Sequence, residues 1–150
     1  MTSTNFKLGN LTEILTENLE MALYSKITKI TTTYNYSSNT LTFDYSNGNF
    51  LIFNGLSSST NFELVLNNVN TSNNSYKSYE FNLLIDTSTH KAFANTCKIN
   101  NVGINILMED GLANVNINSN SLYVLQQFKI IYQSSGMTPT IILSSIQSLY

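Results

Sequence analysis

Residues 40–53 read TLTFDYSNGNFLIF, and this stretch decides the fold class. Leu41, Phe43 and Tyr45 alternate with Thr42 and Asp44, so the apolar side chains fall on one side of an extended chain. Ser46, Asn47, Gly48 and Asn49 then interrupt the pattern. Asn-Gly is the strongest short turn signal, because both central residues of that turn take positive φ. Phe50, Leu51, Ile52 and Phe53 follow as a return strand. The expectation is a β-hairpin over 40–54.

The same two-residue period continues on both sides. Before it, a Thr-rich run from Ile27 ends in Tyr34, Asn35 and Tyr36. After it, Phe62, Leu64 and Leu66 alternate with Glu63, Val65 and Asn67, and Tyr79, Phe81, Leu83 and Ile85 make another run. Cys97, Ile99, Val102, Ile104 and Ile106 fit a strand pair around Asn100, Asn101 and Gly103. Residues 108–120 are polar and read as a long loop. Leu122, Val124, Phe128, Ile130 and Tyr132 make a long strand, and residues 134–138 a turn. Pro139, the only proline, opens the last strand, where it sacrifices no ladder hydrogen bond. Ile141, Leu143 and Ile146 complete the core. About eight or nine short strands separated by turns predict an all-β domain, an antiparallel, jelly-roll-like β-sandwich over 27–150.

The first 26 residues differ. Leu11, Ile14, Leu15, Leu19, Ala22 and Leu23 recur at helical spacing, and Asn10 with Glu13 fits a capping arrangement. A short amphipathic helix is expected over 11–23. A helix this short is marginal alone in water and must dock, on its own domain or on another chain.

Composition narrows the function. Charged residues are only 11% of the 150, there is no Arg, and the net charge is −2. That balance offers no electrostatic footprint for nucleic acid or for an anionic membrane surface. No leader peptide and no run of about 20 apolar residues is visible. Asn, Ser and Thr make up about two-fifths of the chain, so the polar surface is neutral.

Residues for catalysis are scarce. His90 is the only histidine and sits in a polar loop beside Lys91. Serines are too abundant for one near it to define a nucleophile–base pair. Cys97 is the only cysteine and reads as a small buried apolar residue. Glu109 and Asp110, followed by Gly111, are the one adjacent acid pair; they could lend oxygens to calcium, but read as solvated loop residues. Asp44, Glu63, Glu80 and Asp86 are scattered over different strands, with nothing marking a glycosidase pair. The Tyr-rich segments 34–45 and 76–81 could stack on sugar rings, but tyrosine on strands usually packs across strands. No catalytic residue, cofactor or metal ligand is assigned, and the chain is expected not to be an enzyme.

The order of the strand words carries a resemblance. LTFDY at 41–45, NGLSS at 54–58, FELVLNNV at 62–69, the run at 79–85, CKINNVG at 97–103, LYVLQQFKII at 122–131 and IILSSIQSLY at 141–150 follow one another as in a known module. In that order they resemble the C-terminal virion domain of marine phage and algal virus fibre, tail or capsid-associated structural proteins. The resemblance spans roughly 30–150. A tryptophan common in that family around 104–112 has no counterpart here. The resemblance implies a β-sandwich on a virus particle, assembled with itself as a homotrimer and with other virion proteins such as the major capsid protein. It makes residues 1–26 a candidate anchor, and glycan or receptor binding on the virion surface the alternative role.

Overall fold

The computed structural model describes residues 29–70, 77–108, 117–132 and 138–150. The helix expected over 11–23, the boundary near residue 26 and the pair Glu109 and Asp110 lie outside these residues. The described chain is all-β. Its strands are β1 (Ile30–Thr31), β2 (Asn35–Ser37), β3 (Thr40–Asp44), β4 (Phe50–Phe53), β5 (Phe62–Asn67), β6 (Lys77–Asp86), β7 (Ala94–Ile99), β8 (Val102–Ile104), β9 (Ile106–Met108), β10 (Tyr123–Tyr132) and β11 (Thr140–Leu149). The number exceeds the expected eight or nine because β1, β2, β8 and β9 are edge strands of two or three residues. Such short edges leave little free ladder for unwanted pairing.

The strands form two sheets, one ordered β1-β4-β6-β10-β11-β9 and the other β2-β3-β5-β7-β8. The expected hairpin over 40–54 is not there. β3 belongs to the five-stranded sheet and β4 to the six-stranded one. The reason is local. Residues Tyr45–Asn47 form a 3-10 turn capped by Asp44, and Gly48 follows at φ 149° and ψ −177°. A two-residue hairpin needs left-handed residues at both central positions. Gly48 instead takes φ 149° with ψ −177°, a stretched conformation open essentially to glycine, and carries the chain across to the other sheet.

That crossing repeats. β3, β5 and β7 are parallel neighbours in one sheet, and β1, β4 and β6 are parallel neighbours in the other. From β3 to β7 every connection between these strands changes sheet. A chain that reverses and changes sheet each time re-enters a sheet travelling in its original direction, so neighbours there must be parallel. The expected antiparallel, jelly-roll-like pairing is therefore corrected: both sheets are mixed. Antiparallel pairing appears at β2 with β3, at β7 with β8, and on both sides of β10.

Two true hairpin turns are made without glycine. Ser38 and Asn39 link β2 to β3 at φ 51° and 58°, and Asn100 and Asn101 link β7 to β8 at φ 47° and 67°. The second agrees with the expected strand pair, though Asn101 and not Gly103 takes the left-handed position. Pro139 immediately precedes β11, as expected.

Inward side chains of both sheets form one cluster. Leu41, Phe43, Leu64, Leu66 and Ile99 come from one sheet; Leu51, Phe53, Phe81, Leu83, Ile85, Phe128 and Ile130 come from the other. Phe43 and Phe81 meet across the gap with ring centroids 5.2 Å apart, and Phe53 meets Phe62 at 5.4 Å. A polar clamp also crosses it: buried Gln126 on β10 accepts from Ala94 N at 2.8 Å and donates to Ala94 O at 3.0 Å. It satisfies the backbone at the start of β7, where the β5 register slips.

Candidate interaction surface

The residues singled out for chemistry are held in structural bonds. Asp44 accepts from Ser46 N, Ser46 Oγ and Asn68 Nδ2, and the Ser46 bonds foremost hold its carboxyl below the usual range. Asp86 accepts from Ser88 N at 2.9 Å, which lowers its carboxyl likewise. Glu63 pairs with Lys98 at 2.9 Å on the outside of the five-stranded sheet. Lys91, beside His90, donates to the carbonyls of Thr87 and Ser121 at 2.5 and 2.6 Å. The lysine thereby pins the His90 loop against the start of β10. Cys97 is buried, and burial pushes its thiol up to about 12, with the Glu63 carboxylate adding to it. A thiol held protonated is a poor nucleophile. Among the described residues no three His, Cys, Asp or Glu side chains are grouped to hold a metal ion.

The tyrosines divide. Tyr34 and Tyr36 pack on Phe53 with centroids 5.1 and 4.9 Å away, and their hydroxyls donate to Asn54 and Asn39. Tyr45 and Tyr79 pack edge-on at 6.1 Å, and Tyr45 donates to Glu80 O. Burial pushes the Tyr45 phenol up to about 12. These rings line the rim of the core instead of forming a flat exposed platform. Among the described residues the exposed tyrosines are Tyr123 and Tyr150.

What distinguishes the molecule is the contrast between its two outer faces. On the five-stranded sheet the registers place Ser37, Thr40, Glu63 and Thr96 in one outward row, and Asn35, Thr42, Val65 and Lys98 in the next. That face is polar except for Val65. On the six-stranded sheet Ile52, Leu84 and Leu125 align in one outward row. Phe50 lies beside Asn82, Tyr123 lies opposite Leu149, and Ile142 lies beside Leu107. Polar residues share these rows, among them Asn82, Gln127 and Ser145 beside Phe50, Gln147 beside Leu125, and Glu80 and Lys129 beside Ile142, so this face is mixed where the other is almost wholly polar. The sequence carries the signal as unbroken apolar runs, such as Phe50–Phe53, Leu83 to Ile85 and Ile141 to Leu143. Strands with one wet face alternate, whereas unbroken runs belong to strands covered on both faces.

The face has two parts. In its middle Phe50, Ile52, Leu84 and Leu125 are half-buried. At one end Leu122, Tyr123, Leu149 and Tyr150 are exposed, Tyr150 at 74%. Leu122 N donates to Leu149 O, and Asn118 donates to the Tyr150 hydroxyl, so these side chains share one corner. Val102 and Leu107, each 53% exposed, sit on the edge strands β8 and β9. Large exposed apolar side chains gathered at one corner, as at Leu122, Tyr123, Leu149 and Tyr150, are the kind of surface that marks interaction sites. No helix among the described residues is long and apolar enough to cross a membrane. Comparison with family models, curated proteins and solved structures finds no match to this chain.

Proposed function

We propose that this chain is a β-sandwich structural component of a virus particle, of the minor capsid, capsid-decorating or fibre type, acting through protein–protein assembly. The observation that supports an assembly role is the exposed apolar corner formed by Leu122, Tyr123, Leu149 and Tyr150. Nothing in a purely solvated sheet face calls for four large apolar side chains at one end of two paired strands. The polar outer face of the other sheet suits a particle surface. Its neutral Asn, Ser and Thr side chains keep many adjacent copies soluble without like-charge repulsion. The virion assignment itself rests on the order of strand words described above. In this reading the partners are two further copies of the chain and a neighbouring virion protein such as the major capsid protein.

The experiment is sedimentation of the full chain. A homotrimer has three times the 16.8 kDa chain mass. Tyr123→Asp with Leu149→Asp should reduce it to a monomer while leaving thermal stability unchanged. A protein that is monomeric at every concentration tested, and fails to join particles, would refute the assembly reading. A second reading has its own observation: Tyr123, Tyr150 and Asn118 make an exposed aromatic–amide corner suited to a sugar ring. A glycan array separates the two, because sugar binding abolished by Tyr150→Ala in a monomer would favour it.

A further inference from the structure

An Asn-Gly dipeptide carries a chemistry of its own. The backbone nitrogen after an asparagine can attack the side-chain amide carbon, expel ammonia and close a succinimide ring. Glycine shields that nitrogen least, because it has no Cβ. The sequence holds two such dipeptides, Asn47–Gly48 and Asn54–Gly55, and the fold puts them in opposite surroundings.

At the first, the nucleophile is tied down. Asn47 ends the 3-10 turn, and Gly48 N donates to Tyr45 O at 3.2 Å. Gly48 is buried, with the Lys29 carbonyl oxygen against the place of a Cβ. That nitrogen cannot give up its proton and turn towards the Asn47 side chain without opening the turn.

At the second, the electrophile is held and the nucleophile is free to act. Asn54 follows the end of β4 and is exposed. No backbone hydrogen bond among the described residues takes the Gly55 N–H. The Tyr34 hydroxyl donates to Asn54 Oδ1 at 2.6 Å, and its ring is fixed edge-on against Phe53. The same phenol closes on Gly55: a Cβ there would stand 2.8 Å from the Tyr34 hydroxyl oxygen and 3.3 Å from Cε2 of its ring. Only glycine admits so close an approach. A hydroxyl donated to an amide oxygen stabilises the oxyanion that forms when the amide carbon is attacked.

We propose that Asn54–Gly55 is a self-modification site, at which Gly55 N attacks Asn54 Cγ while the Tyr34 hydroxyl holds the developing oxyanion. The N–Cγ bond forms as the Gly55 amide proton passes to water. The Cγ–Nδ2 bond then breaks, and Nδ2 takes a proton from water and leaves as ammonia. A water molecule opens the succinimide at either carbonyl, giving aspartate or isoaspartate at position 54. Either product adds a negative charge to a chain of net charge −2, and isoaspartate also inserts a methylene into the backbone where the chain leaves β4. The modification goes beyond the assembly reading and does not depend on it.

The test follows both asparagines by peptide mass spectrometry in the full chain at mildly alkaline pH, folded and in urea. The urea rates report the dipeptides alone. In the folded protein Asn54 should convert at least as fast as in urea, while Asn47 should fall at least about tenfold behind its urea rate. Protection of Asn54 by the fold would overturn the proposal. The products identify the nucleophile. Attack by Gly55 N gives isoaspartate together with aspartate, whereas aspartate alone would mean direct hydrolysis by water and would overturn it as well. Tyr34→Phe removes the hydroxyl and keeps the ring on Phe53. It should slow Asn54 in the folded protein about 3- to 10-fold, less than the roughly 100- to 1,000-fold of a water-excluded oxyanion hole because this site is exposed, and leave the urea rate unchanged. An equal or faster folded rate in Tyr34→Phe would overturn the role of the hydroxyl. The folded-against-urea comparison and the product analysis use the natural protein, so they decide the matter even if the variant folds poorly.

Discussion

Gly48→Ala tests the sheet-to-sheet crossing on which the architecture depends. Gly48 sits at φ 149° and ψ −177°, a region open essentially to glycine, where a side chain costs about 1–3 kcal/mol. An added Cβ would also meet the Lys29 carbonyl oxygen, and would stand 3.1 Å from the Lys29 carbonyl carbon. That oxygen accepts from Asn49 N and Phe50 N, so relief of the clash displaces β1 and weakens two bonds of about 0.5–1.5 kcal/mol each. Because β1 is only two residues long it can peel away, which limits the total to about 3 kcal/mol. For a domain near 150 residues that is a fall in Tm of about 6–12 °C. Gly103→Ala is the control: no atom lies within 4 Å of its added Cβ, so the change should stay within about 0.5 kcal/mol. The assay is calorimetry, with urea midpoints as a second measure. Gly48→Asn makes the test decisive. In an Asn-Gly hairpin turn asparagine is tolerated at the left-handed position, whereas here its Cβ meets the same carbonyl. If Gly48→Asn were as stable as the natural protein, the crossing would be wrong and the 40–54 hairpin right.

Four further outcomes follow from buried groups. Gln126→Leu should cost about 2–4 kcal/mol in urea unfolding, because Ala94 N and Ala94 O lose their partner inside the core. Tyr132→Phe removes a buried hydroxyl that has no hydrogen-bond partner, so stability should hold or rise by up to about 1 kcal/mol; a clear loss would reveal a partner. Alkali should act through Tyr45 and Cys97, whose ordinary values of 10.0 and 9.0 are raised to about 12. The folded protein holds both protons more tightly than the unfolded chain, so their contribution is intact below pH 9 and drains away as pH rises towards 12. Urea midpoints against pH should fall in that window, and Tyr45→Phe with Cys97→Ala should flatten the decline. In the native state at pH 8 Cys97 should resist iodoacetamide, and prompt alkylation would contradict its burial.

Strand positions were legible because they depend on neighbours two residues away. The alternation at 79–85 became β6, the run from Leu122 became β10, and Pro139 marked the start of β11. Sheet membership was not legible, because it depends on which way the chain leaves a turn. Asn47–Gly48 carries a hairpin signal, but Asp44 caps a 3-10 turn over Tyr45–Asn47, and Gly48 takes φ 149° where a two-residue hairpin turn needs a compact left-handed residue. Ser38–Asn39, a weaker signal, makes the hairpin instead. The interaction surface was half-legible. Unbroken apolar runs such as Phe50–Phe53 put apolar side chains on both faces of a strand, where strict alternation puts them on one.

The abundance of asparagine also takes on a physical meaning. Four of the five non-glycine residues with positive φ among those described are Asn39, Asn68, Asn100 and Asn101. Asparagine tolerates that conformation better than other side chains, since its short amide can bond locally. The same side chains stand in for backbone. Asn100 accepts from Val69 N and donates to Val69 O, and Asn61 accepts from Phe93 N. A chain that changes sheet at most turns leaves many amides and carbonyls at crossings, where no ladder neighbour reaches them. Each needs a partner that is short, neutral and able both to donate and to accept. Asparagine meets all three conditions, and a charged side chain would add desolvation to each crossing. A low charge content and a high asparagine content are therefore what this winding topology selects, whatever else shaped the sequence.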